Sequence, residues 1–185
     1  MEHRDDRKSR GDSEGSAVLE LLKTIVIAVV LAVLIKNFVF NTTLVIGKSM
    51  EPTLHQNERL VCLVFPLYFS DPARQDIVII DAPDNSGKEY VKRVVGLPGD
   101  TVAIRDGAVF INGVALEEPY IEPGIDTEIY QESEWTLGEG EFFVMGDNRN
   151  PGLSVDSRYF GPVQKKNINS VAKLRFYPFN RAEVF

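Results

Sequence analysis

The sequence predicts a mainly β protein, an antiparallel β domain behind one N-terminal transmembrane helix. Three observations lead there. Residues 24–35 (TIVIAVVLAVLI) carry no polar side chain after the threonine. Beyond residue 40 the chain becomes a series of short apolar runs separated by turn residues, the pattern of strands and hairpins. Finally, 185 residues with 44% hydrophobic content suit one ordinary domain plus an appendage, which excludes a disordered or collagenous chain.

Residues 1–16 are polar, of mixed charge and interrupted by Gly and Ser, so they are expected to be a disordered tail. Residues 17–40 are expected to be the anchor. As a helix, residues 24–35 reach only about 18 Å, short of a roughly 30 Å hydrocarbon core. Extending from Val18 to Phe40 gives about 34 Å, with Lys23 and Lys36 snorkelling to the interfaces and Glu20 pairing with Lys23. A buried core helix of a soluble protein is one alternative and a cleaved signal peptide another, but for the latter no small-residue cleavage site follows, since the chain continues Lys36-Asn37-Phe38-Val39-Phe40. Arg4, Arg7, Lys8, Arg10 and Lys23 precede or open the span, which places the N-terminus in the cytoplasm and residues 41–185 outside.

In that outer part the runs ERLVCLVF, DIVIID, EYVKRVVGL, DTVAI, AVFING, GEFFVMG and VAKLRFYPF read as strands. Leu97-Pro98-Gly99-Asp100 suits a type II turn, and Asp106-Gly107 and Asn112-Gly113 are hairpin signals. No segment there has helical periodicity. Residues 117–141, acidic and interleaved with Pro, Gly and Thr, read as a solvated loop region, because their spacing fits no calcium loop.

Charge and composition narrow the chemistry. The net charge of −7 argues against a nucleic-acid footprint, and all the excess acidity lies beyond residue 40. A single cysteine, Cys62, allows no intramolecular disulfide or cysteine-rich metal cluster, and its apolar flanks mark a buried, inert thiol. With His3 in the tail and His55 alone in the domain, no multi-histidine metal centre can form, and no metal or other cofactor is expected. A Ser-His-Asp triad would have to use His55, only six residues after Ser49. No phosphate-binding loop or dinucleotide fingerprint is present.

Serine chemistry with another base remains open. Ser49 lies in Ile46-Gly47-Lys48-Ser49-Met50-Glu51-Pro52, which matches neither a nucleophile elbow nor an S-x-x-K motif, and by itself it reads equally as a turn serine. Lys92 in Tyr90-Val91-Lys92-Arg93-Val94 alternates onto a face with Tyr90 and Val94, where loss of water would ease its deprotonation. It could equally be an edge-strand lysine reaching water. A third segment, residues 145–158 (MGDNRNPGLSVDSR), packs carboxylates, guanidiniums and hydroxyls behind an apolar strand, as a site or as a salt-bridge knot.

Together the three segments resemble the bacterial type I signal peptidase, or leader peptidase, family. The shared motifs are SMEPTL at 49–54, DIVII at 76–80, YVKRVVGLPGD at 90–100, GDNR at 146–149 and SVDSRYFG at 154–161, in order behind an N-terminal anchor. The resemblance implies a membrane-anchored serine endopeptidase of the bacterial cell membrane. In it Ser49 is the nucleophile, Lys92 the general base, and Ser154 orients the amine. Arg93, Asp147, Asp156 and Arg158 form a supporting ion-pair network. The implied substrates are secreted preproteins, cut after small residues at −1 and −3; Val45 and Ile46 are candidate walls of the pockets for those residues, or ordinary strand core. The lipid bilayer is the other implied partner.

Three departures from the family pattern stand out. Gly47 replaces a serine found in some members, leaving oxyanion binding to backbone N–H, that of Ser49 first. Two extra residues separate GDNR from DSR, and counting back from Asp156 selects Ser154 over Ser157. Gln75 replaces a common glycine. A non-catalytic anchored β module that binds extended peptides by strand addition is the rival from another class, and it would tolerate Ser49→Ala.

Overall fold

The computed structural model describes residues 6–83 and 87–185, and within the first helix the side chains of residues 18–34. The chain divides into two units between Val39 and Phe40. The first is helix α1 (Asp6–Phe38). It begins inside the stretch expected to lack structure, where Arg, Lys and Glu, all good helix formers, extend the turn pattern of the apolar segment backwards. Residues 1–5 of the expected tail and the Lys36 side chain lie outside what is described. Among the described residues no helix is long and apolar enough to cross a membrane, and no ion pair joins Glu20 to Lys23.

Among its described residues the second unit contains twelve strands: β1 (Phe40–Leu44), β2 (Arg59–Leu63), β3 (Ile77–Asp81), β4 (Glu89–Gly96), β5 (Thr101–Arg105), β6 (Ala108–Ile111), β7 (Val114–Ala115), β8 (Glu134–Thr136), β9 (Glu141–Met145), β10 (Val163–Gln164), β11 (Ile168–Tyr177) and β12 (Glu183–Val184). Every pairing is antiparallel. The larger sheet runs β1-β2-β11-β3-β4-β9-β10, with β12 on β11; the smaller runs β7-β6-β5-β8. All seven expected runs are strands. The short helix α2 (Ser157–Phe160) interrupts the expected helix-free region, because the Asp156 carboxylate caps it by accepting from the Arg158 N–H.

β3 explains the continuous run of DIVIID. Ile77 and Ile79 enter one apolar cluster with Val45, Met50, Leu54 and Leu60, while Val78 and Ile80 enter another with Val94, Phe142 and Val144. A strand covered on both faces needs no polar alternation. Cys62 lies in the first of these clusters, and burial pushes its thiol up to about 11. The smaller sheet packs onto β4 and β9 through Trp135, Val102 and Ile104 against Val95, Phe143 and Met145. The two sheets pack closely at Gly96: a Cβ there would overlap the side chains of Val102, Leu137 and Phe143.

The acidic stretch 117–141 is only partly the solvated loop expected. Trp135 is a core residue of β8, Thr127 is buried, and the Glu118 side chain is 5% exposed. The reason is long-range: Glu118 meets Arg149, 31 residues on, which no local pattern reveals.

Candidate active site

Ser49 sits in the turn that carries the chain from β1 back to β2. Backbone bonds Val45 N–H to Glu58 O (2.9 Å) and Asn57 N–H to Val45 O (2.9 Å) close the base of this turn. Met50 and Leu54, 1% and 0% exposed, plug it into the core. From the opposite side Asn148 clamps it twice, donating its backbone N–H to Ser49 O (3.0 Å) and its Nδ2 to Lys48 O (3.0 Å). The serine main chain is therefore held from two elements before any side chain is considered.

Lys92 comes from β4, directly opposite Val78, and is 3% exposed. Its Nζ lies 3.0 Å from Ser49 Oγ and 3.3 Å from Ser154 Oγ. Burial pulls its pKa down to about 8; Asp156 and Asp147 oppose that shift and Arg158 adds to it. Among the described residues no carboxylate forms an ion pair with this amine. A buried amine whose hydrogen-bond partners are hydroxyls can lose its proton near neutral pH and take one from Ser49.

Ser154 donates its hydroxyl to Asp156 Oδ2 at 2.7 Å, leaving its oxygen free to accept from Lys92. Asp156, 0% exposed, also accepts from Gly146 N–H (3.0 Å) and from Arg158 Nε and Nη2 (2.9 and 2.8 Å). Burial alone would raise its pKa, but these donors hold the carboxyl below its ordinary range. Arg93, next to the lysine, turns to Asp147 in a bidentate pair (2.8 and 2.6 Å) and donates to Gln75 O at 2.8 Å. Gln75 holds φ of 73°, a backbone region glycine enters without strain. Gly146 is forced by space rather than by φ, since a Cβ there would collide with Ser154 Oγ and Ser49 O.

Ser49 and Lys92 stand at one end of a groove of about 810 Å³ between the β1 segment and the first half of β4. Val45, Ile46, Thr43, Tyr90 and Val91 line it; Val45 is 3% exposed and Ile46 80%. β1 is an edge strand of its sheet. His55 is elsewhere in its bonding, with Nδ1 3.0 Å from Arg181 Nη1, where it can only accept. No group of three or more potential metal ligands exists among the described residues.

A family model described as signal peptidase, peptidase S26, matches residues 18–177. The chain belongs to this family. Signal peptidase I of Bacillus licheniformis is 40% identical over 186 residues, 94% of this chain and 96% of the relative. Signal peptidase I S of Bacillus subtilis is 41% identical over 182 residues, again 94% and 96%. A crystal structure of a signal peptidase I from Enterococcus faecalis is 37% identical, covers 55% of this chain and 97% of that one, and has a TM-score of 0.45. The chain is thus an enzyme, a hydrolase of the type I signal peptidase class.

In this S26 peptidase the residues singled out from sequence do gather. Ser49, Lys92 and Ser154 share hydrogen bonds, Arg93 meets Asp147, and Arg158 meets Asp156. Ser157 turns away, accepting from Val144 N–H at 2.9 Å. Sequence reasoning missed Asn148, Arg149, Glu118, Thr127 and Tyr120. The first two stand inside the GDNR motif, which was the available signal; the other three had none.

Proposed function

We propose that this peptidase removes N-terminal signal peptides from secreted preproteins with a Ser49–Lys92 dyad. The observation that carries the reading is the 3.0 Å approach of a buried, partner-poor amine to a serine hydroxyl at the end of a groove. The preprotein lies in the groove as an extended strand beside β1. Neutral Lys92 takes the Ser49 proton as Oγ attacks the scissile carbonyl, and Ser49 N–H binds the oxyanion. The resulting ammonium protonates the departing amine, which releases the mature chain. Water, activated by the same amine, then frees the signal peptide from Ser49. Ser154 holds the amine toward Ser49, and Asp156 with Arg158 and Asp147 with Arg93 hold the surrounding turn.

Alternate side chains of an extended substrate face one surface, so −1 and −3 meet the wall that includes Val45 and Ile46 while −2 points away. Shallow apolar pockets there admit Ala and exclude larger side chains by clash. Residues 17–40 act as the single membrane anchor, with the N-terminus in the cytoplasm and the peptidase domain outside. The support for that topology is the apolar run and the basic residues before it.

The test is direct. Detergent-solubilised wild type, Ser49→Ala and Lys92→Ala are incubated with a preprotein, and the new N-terminus is sequenced. Wild type cleaves after the small −1 residue, and both variants bind without turnover. Substrates with Leu at −1 or −3 resist, while −2 accepts bulky residues; efficient cleavage after a large −1 residue would sink the pocket model alone.

A further inference from the structure

Three guanidiniums form the back of the site, and each meets a residue from one segment that leaves the smaller sheet after β7 and rejoins it at β8. Tyr120 lays its ring 4.0 Å from the Arg93 guanidinium carbon. Tyr130 lies 5.1 Å from that of Arg158. Arg149, 2% exposed, donates to Thr127 Oγ1 at 2.7 Å and to both oxygens of Glu118. Tyr120 also donates its hydroxyl to Glu118 Oε1 at 3.0 Å, tying two of these contacts together. The segment is itself pinned to the smaller sheet, Thr127 N–H donating to Gly107 O at 2.8 Å and Ser133 O accepting from Ile104 N–H at 2.8 Å.

A short chain of bonds leads from each arginine to the dyad. Arg93 holds Asp147, and the next residue, Asn148, holds Ser49 O. Arg149 Nε donates to Gly146 O at 3.0 Å, while Gly146 N–H donates to Asp156. Arg158 holds Asp156, which holds Ser154. A guanidinium donates only in its own plane, so a ring over its face keeps water off and fixes where the N–H groups point. No residue of the segment lines the groove.

We propose that residues 118–130 are a positioning strap, in which Glu118, Tyr120, Thr127 and Tyr130 seat Arg93, Arg149 and Arg158 and through them set the spacing of Ser49, Lys92 and Ser154. Glu118, Tyr120, Thr127 and Tyr130 are positioning residues, acting through the arginines. The inference rests on the Ser49–Lys92 reading. It adds that the smaller sheet, none of whose residues lines the groove, takes part in turnover through this one segment.

The experiment uses the full chain in detergent and a signal-peptide substrate, with Glu118→Gln, Tyr120→Leu and Tyr130→Leu, one variant per arginine. Each is assayed at a temperature where circular dichroism shows it fully folded. Misplacing the dyad by a fraction of an ångström should lower kcat about tenfold or more and leave KM within about twofold, since substrate contacts are untouched. Tyr120→Phe and Tyr130→Phe keep the rings and should restore kcat, and Glu122→Gln, on the exposed face of the same segment, should behave as wild type. Should a leucine variant not fold, Glu118→Gln, which keeps shape and removes charge, decides. A kcat per folded molecule within threefold of wild type in the folded variants, or equal losses for Phe and Leu, overturns the strap. Ser49→Ala and Lys92→Ala run alongside: turnover in either would bring down the dyad, a different result from an intact dyad with silent strap variants.

Discussion

Adjacent residues of β4 show two ways to bury a cation. Arg93, like Arg149 and Arg158, meets a carboxylate gripped at two or more points, although Arg158 Nη1 is buried without a hydrogen-bond partner. Lys92 meets two hydroxyls and, 5.5 Å away, the Tyr90 ring, but no carboxylate in an ion pair among the described residues, and its pKa falls to about 8. The guanidiniums, always charged, serve as fixed architecture; the amine alone is left poorly compensated and is therefore able to exchange a proton. Structure and chemistry are thus divided between residues that neighbour each other in sequence.

The most severe way to erase the difference is to make the lysine side like the arginine side. Lys92→Arg puts a group that does not deprotonate beside Ser49, and turnover should fall by about 10³-fold or more, measured as kcat on a signal-peptide substrate. Gly146→Ala attacks the seam between the two sides. Its Cβ must displace Ser154 Oγ or Ser49 O, and kcat should drop about 10²-fold while the melting temperature falls by only a few degrees.

Asp156→Asn sharpens the comparison by changing both sides together. Arg158 is left as an unpaired buried charge, which should cost about 3–5 kcal/mol in denaturant unfolding. Lys92 loses the carboxylate that favours its ammonium form, so the acid limb of the residual kcat/KM profile should move to lower pH. If the proposed dyad operates, the wild-type limb should rise through about pH 8, because only the unprotonated amine would be competent. Ser154→Ala removes one hydroxyl from the amine and leaves Ser49 in reach, for a loss of about tenfold to 10²-fold in kcat. Smallest of all, His55→Ala touches only the Arg181 contact at that ring and should keep activity within about twofold.

The fold was readable wherever burial imposed a period. β3 and β9 are continuous apolar runs because both their faces are covered, and β4 carries its two cations as breaks in such a run. β1 was not readable: FNTTL is mostly polar, and its strand form comes from pairing with β2 across the Ser49 turn. β8 was hidden by its acidic neighbours, although Trp135 packs against Phe143 at 4.6 Å. In the site, the motif residues were legible because each is chemically unusual where it stands, a serine before Met-Glu-Pro or a lysine within an apolar strand. The contacts of residues 118–130 were not, since Glu118 becomes a buried ion-pair partner only once Arg149 is brought to it.

Cys62 has a use beyond packing. It is the one cysteine of the chain, it is buried, and burial holds its thiol protonated, with a pKa of about 11. Thiol reagents act on the thiolate, so the native protein is a nearly silent background for labelling at neutral pH. Any cysteine introduced at an exposed position would report alone, without a cysteine-free variant having to be built first. A reagent that cannot cross a bilayer should then label Glu122→Cys in intact cells and spare Ser9→Cys, reading the orientation of the chain from two single substitutions.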